Sequence, residues 1–89
     1  MMTLLKVRSV LAARGESRSA LYLAIHAGLF PRPVKRGQHN LWPAAEVDAV
    51  NRAETAGATR EQIQALVRRL VAQRAQMRDP EDLEARQTA

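Results

Sequence analysis

The sequence predicts a mainly α fold with one small β-hairpin. Three observations carry that expectation. Residues 6–14 and 17–27 form two short amphipathic stretches separated only by a glycine-containing turn. Residues 33–42 read as basic extended chain folded back near Gly37. Residues 59–77 carry apolar positions at helical spacing. Two helices joined by such a turn form a helix-turn-helix, and a hairpin directly after it is a wing. The expected architecture is a winged helix-turn-helix over 1–56, an amphipathic helix over 57–78 and a flexible polar tail over 79–89.

In chain order, Thr3–Leu5 is short and apolar, either a brief strand or the entry to the first helix. Val7, Val10 and Leu11 stand at i, i+3 and i+4, which predicts a helix over Lys6–Arg14 with one buried stripe; Gly15 ends it. Ser17 is a good N-cap for the second helix. Its inner side carries Leu21, Ala24 and Ile25, and its outer side Arg18, Ser19, Tyr22 and His26. Gly28 supplies the stop, and Pro31 and Pro33 prevent the helix from resuming.

Leu29 and Phe30 then turn inward. Pro33–Arg36 is extended and basic, Gly37–His39 has turn character, and Asn40–Trp42 returns toward the core. Phe30 and Trp42 are expected inside, because a small domain needs its few large apolar residues there. Tyr22 is expected at the core's edge with its hydroxyl toward a phosphate. Pro43 fits the first position of a third helix, where its missing N–H costs nothing. Val47 and Val50 give that helix an inner face, and Asp48 and Arg52 can pair outside.

Residues 55–58 form a joint. Thr59 and Gln62 match a capping box. Ile63, Leu66, Val67, Leu70 and Val71 recur at helical spacing, with Met77 two turns on; Arg74 interrupts the stripe, and Arg60, Arg68, Arg69 and Arg78 lie off it. Asp79-Pro80 ends the pattern. Such a helix must fold back, pair with another protomer or dock on a different protein.

Charge sharpens the functional expectation. The 89 residues carry a net +5 with no cysteine. Between Ser17 and Ala45 there is no acid, while Arg18, Arg32, Lys35 and Arg36 lie there. A compact acid-free basic block is the footprint of a nucleic-acid surface. Residues 79–89 are acidic instead. The lack of cysteine excludes disulfides and thiolate sites and suits the cytoplasm. No apolar run reaches the roughly 18–20 residues that span a bilayer, so no membrane partner is expected. His26 and His39 lack metal-ligand spacing, Glu46 and Asp48 point to different sides, and no glycine-rich phosphate loop occurs. Neither an enzyme, a metal nor a cofactor is expected.

Ser17-Arg18-Ser19 with Tyr22, then Gly28-x-Phe30-Pro31-x-Pro33-Val34, then Trp42 and Glu46-Val47-Asp48-Ala49 together resemble one family. It is the AlpA-like small winged helix-turn-helix proteins of phages and integrative elements, relatives of excisionases and more distantly of the MerR DNA-binding domain. The resemblance covers Leu4–Val50. It implies a sequence-specific binder of double-stranded DNA. Such proteins act as recombination directionality factors that bias a tyrosine integrase toward excision, as transcriptional regulators, or as both; the expected function is an excisionase that binds cooperatively and bends DNA at an attachment site, with a transcriptional regulator of phage or mobile-element genes as the alternative.

By position, the resemblance makes Ser17, Arg18, Ser19, Tyr22, Leu23 and His26 the contacts of the recognition helix. It makes Arg32, Lys35, Arg36, Gln38, His39 and Asn40 those of the wing. Three residues depart from the family's pattern. Glu16 stands where an aliphatic residue is common, Leu23 where a polar one is usual, and Ala24 replaces a larger aliphatic. Leu23 could contact a thymine methyl or pack against the wing. Factors of this kind bind side by side on DNA, so Ile63, Leu66, Val67, Leu70 and Val71 are candidates for self-association. A protein–protein adaptor that uses the fourth helix is the rival from another class.

Overall fold

The computed structural model describes residues 2–77. Arg78, the Asp79-Pro80 stop and the expected tail over 79–89 lie outside the described residues. Strand β1 (Leu4–Lys6) leads directly into helix α1 (Val7–Arg14). Helix α2 (Arg18–His26) follows, then the hairpin β2 (Val34–Arg36) and β3 (His39–Pro43). Helices α3 (Ala44–Thr55) and α4 (Arg60–Gln73) complete the chain with a 3-10 turn over Arg74–Met77.

The hairpin is part of a three-stranded antiparallel sheet in the order β1-β3-β2. Of the two fates open to the N-terminal apolar residues, the strand is the one adopted: Leu5 faces Trp42 and Lys6 faces Leu41 across the ladder. Pro43 sits one residue earlier than expected. It pairs with Leu4 as the last residue of β3 and is the N-cap of α3. Proline has no N–H for the ladder, and the next donor substitutes: the Ala44 N–H bonds the Thr3 carbonyl at 2.8 Å.

Local chemistry fixes the helix ends. The Ser17 hydroxyl accepts the Ala20 N–H at 3.2 Å, one of the donors a helix start leaves unpaired. At the other end of α2, Gly28 adopts φ 76°, a left-handed conformation that costs other residues about 1–2 kcal/mol. Its N–H bonds Ile25 at 3.1 Å, and the Leu29 N–H bonds Ala24 at 2.8 Å. This paired closure is the Schellman motif, and it turns the chain out of α2 toward the wing. The capping box of α4 is complete: Gln62 N–H donates to the Thr59 hydroxyl at 3.2 Å, and Thr59 N–H to the Gln62 side chain at 2.8 Å.

One core joins every helix to the sheet. Val10, Leu21, Phe30, Trp42, Val47, Val50, Ile63 and Val67 form it, with Leu66 and Leu70 packed partly buried against it. The Phe30 and Trp42 rings meet tilted at 46° with centroids 6.5 Å apart. The buried indole N–H donates to the Pro31 carbonyl at 2.9 Å. These two contacts account physically for the Phe30-Pro31 and Trp42 parts of the sequence pattern: Phe30 packs on the indole ring, and the Pro31 carbonyl accepts its N–H hydrogen bond.

Of its three possible fates, α4 folds back. Of the five residues expected to join two copies, Ile63 and Val67 are taken up in the chain's own core. Ile63 and Val67 are 5% and 7% exposed within the chain's own core, and Leu66, Leu70 and Val71 are half-buried. The reason is area: without α4, the apolar side of α3 and the end of α2 would face water. Polar ties lock the position. Gln64 Nε2 donates to the Ala27 carbonyl at 3.0 Å, closing the end of α2. Met77, expected on the stripe, is 54% exposed, because the chain tightens into the 3-10 turn at Arg74.

Arg14 ties α1 to α3. Its guanidinium donates to Asn51 at 2.8 Å and to Glu16 at 3.0 Å, bonds Glu54, and lies 4.8 Å above the Phe30 ring. Burial pulls its pKa down, but the bonds and charges of Glu54 and Glu16 outweigh it, and the net shift is upward. Glu16 thus serves as a partner for Arg14, which explains an acid in the turn. On the solvent side Asp48 and Arg52 form the expected i, i+4 pair at 2.8 Å.

Candidate nucleic-acid interface

Helix α2 divides sharply into two faces. Leu21 is fully buried, and Ala24 and Ile25 are half-buried against the core. Ser17, Arg18, Ser19, Tyr22, Leu23 and His26 are all exposed. Helical geometry of about 3.6 residues per turn places such residues together on the outer surface. Leu23 is 71% exposed, so it does not pack against the wing; it stands out from the helix as a free apolar contact.

The wing lies beside this face. Lys35 faces Asn40, and Arg36 faces His39, across a two-residue turn of Gly37 and Gln38. Gly37 has φ 61°, and positive φ at the first turn residue is what a II′ hairpin demands. Lys35, Arg36, Gln38 and His39 are exposed, and Asn40 is half-buried. Arg32 precedes β2 with its side chain exposed, while its carbonyl accepts from Arg74 Nη2 at 2.8 Å.

Tyr22 connects the two parts. It is 37% exposed, and its hydroxyl accepts the Asn40 Nδ2–H at 3.4 Å. The hydroxyl expected to point toward a phosphate therefore also has a partner on the wing.

The cations of the described chain divide by partner. Arg14, Arg52 and Arg74 are bound to carboxylates. Among the described residues, none of Arg18, Arg32, Lys35 or Arg36 forms an ion pair. Lys6, Arg8, Arg60, Arg68 and Arg69 form none there either; what distinguishes the first four is that they belong to the acid-free block and cluster on α2 and around the wing.

One further cation belongs here. Lys6, at the end of β1, lines the same concavity as Arg18, Tyr22, Gln38, His39 and Asn40. Sequence reasoning did not select it, because only the β1–β3 ladder brings it beside the wing. The available signal was the short apolar run before α1, had it been assigned to the sheet.

An exposed polar helix face, a basic wing hinged beside it and a single shared core define a small winged helix-turn-helix protein. The family described as Prophage CP4-57 regulatory protein (AlpA) matches residues 3–49. The chain belongs to the AlpA family, whose members are phage-type DNA-binding regulators. No curated protein and no solved structure matches the chain. The match ends within α3, so α4 lies beyond it. No described helix is long and apolar enough to cross a membrane.

Proposed function

We propose that the protein is a sequence-specific double-stranded DNA-binding regulator of phage or mobile-element genes. Its α2 enters the major groove, and the β2–β3 wing lies along the adjacent minor groove. The observation that carries this is the acid-free, unpaired basic surface formed jointly by the outer face of α2 and the wing. Arg18 opens α2, and the first residues of a recognition helix are those that reach base edges. A guanidinium there can bond guanine O6 and N7 in a bidentate fashion. Ser17, Ser19, Tyr22, Leu23 and His26 present further hydroxyl, ring and apolar contacts. Arg32, Lys35, Arg36, Gln38, His39 and Asn40 hold phosphates or the minor-groove edge.

Arg18→Ala is expected to weaken binding by about 1–3 kcal/mol and relax preference at one base position. Lys35→Ala is expected to weaken binding evenly across sequences. Competition binding against a panel of duplexes measures both; sequence preference untouched in Arg18→Ala would remove α2 from its role.

The same surface would serve an excisionase that acts with a tyrosine integrase. That role needs linked copies and bent DNA, and bending costs on the order of 1–6 kcal/mol. The regulator reading is preferred because Ile63 and Val67 pack in the chain's own core, and a regulator at a single site asks no copy-to-copy contact of them. Footprinting on the DNA around its own gene separates the two. One protected site over a promoter supports regulation, and a regularly spaced array beside an attachment site supports excision.

A further inference from the structure

We propose that a backbone phosphate of the bound DNA seats in the concavity between β1, α2 and the wing, with Lys6 as its principal cation. This rests on the DNA-binding reading and adds to it a contact from a third element. The concavity measures about 240 Å³. Lys6 reaches it from β1, Arg18 and Tyr22 from α2, and Gln38, His39 and Asn40 from the wing. Val7 adds an apolar wall; the other side chains are cationic or hydrogen-bonding, and no carboxylate lines the space.

A second polar concavity gives the contrast. It is lined by Arg14 with Glu16 and Glu54, and that guanidinium is bound to both acids. Its charge is answered within the chain. Lys6 and Arg18 form no ion pair with any described carboxylate, and because they line one concavity together their charge is available there to an anion from outside.

Position supports the assignment as well as charge. Lys6 pairs with Leu41 in the sheet, which fixes its Cα against the wing strand. The Asn40 side chain of that strand also approaches the Tyr22 hydroxyl of α2 at 3.4 Å. The lysine therefore stands in a frame set by the same two elements that would meet the grooves. Its ammonium is a mobile point charge on a flexible stem, suited to a phosphate and carrying no base code. Tyr22 and Asn40 act here as positioning residues that keep the wing at its distance from the recognition helix.

The test uses the full chain and a duplex whose site is selected from random DNA by the wild-type protein. Lys6→Gln, Lys6→Arg and wild type are titrated with this duplex and an unrelated one over a range of salt. Lys6→Gln is expected to lose the same factor on both duplexes. Its slope of log affinity against log salt should be shallower by about 0.9, the loss of one phosphate contact. Lys6→Arg should restore the slope. A neutral methylphosphonate walked along the backbone should weaken wild type at one position and leave Lys6→Gln indifferent there. The inference is overturned if Lys6→Gln keeps the wild-type slope, or if both proteins respond alike at every phosphate; the DNA-binding reading then stands. Should wild type select no sequence and bind no duplex at low salt, both fall together. Lys6 is exposed, and an unchanged thermal transition shows that the variant is folded.

Discussion

Glu46 is the buried acid of the described chain, 2% exposed at the start of α3. Arg74 grips both of its oxygens, Nε at 2.9 Å and Nη2 at 2.5 Å. A carboxylate out of water is tolerated when it is paired and costly when it is not. Removing only the cation, as in Arg74→Met, is expected to cost about 3–5 kcal/mol, read as a lower urea midpoint. Replacing both, as Glu46→Met with Arg74→Met, is expected to recover most of that loss. An Arg74→Met midpoint equal to wild type would show that the pair carries no weight. The sequence marks Arg74 only as a break in an apolar stripe. Periodicity reports which side of a helix a residue occupies, and Arg74 is indeed on the inner side. It says nothing of a partner 28 residues earlier in the chain. The same limit hid Lys6, whose relation to Arg18 is made by strand pairing rather than by spacing.

At the scale of elements, what could be read was whatever has local chemistry. The Ser17 cap, the Gly28 closure, the Gly37 turn and the Thr59–Gln62 box each involve residues a few positions apart, and each forms as their chemistry requires. Strand β1 was ambiguous because three residues are too few to show a period. The destination of α4 was open because an amphipathic face states that it must be covered, not by what. The structure gives the answer, and it has a consequence for the segment that matches the family. Residues 3–49 do not contain Ile63 and Val67, which help close the core over α2 and α3. Each of those side chains is worth about 1.5–3 kcal/mol when buried, against a total of roughly 5–15 kcal/mol for a whole domain. A chain ended at Ala58 also loses Gln64 from the end of α2 and Arg74 from Glu46. It is expected to lack a cooperative thermal transition and the near-ultraviolet signal of Trp42. A sharp transition with that signal intact would mean that the winged part is stable without α4.

For the whole molecule, charge and apolar surface divide the labour. Cations that tie separate elements meet carboxylates at Arg14 and Arg74, while those on α2 and around the wing face outward. Among the described residues, the large apolar side chains that remain exposed are Met2, Tyr22, Leu23 and Met77. Tyr22 and Leu23 belong to the α2 face. Met2 and Met77 flank a separate concavity with Pro43 and Leu70. A stable protein interface buries roughly 1,200–2,000 Å² around an apolar centre, and neither pair of side chains supplies such a centre. The protein is therefore expected to sediment in the absence of DNA as one 9.9 kDa chain. Any association of copies then has to be supplied by DNA that holds them in register, and binding to an isolated site should be non-cooperative. A dimer mass without DNA would reverse this. It would return Leu66, Leu70 and Val71, half-buried in the single chain, to the role of joining protomers. The arrangement of tandem copies on an attachment site would then follow from the protein alone.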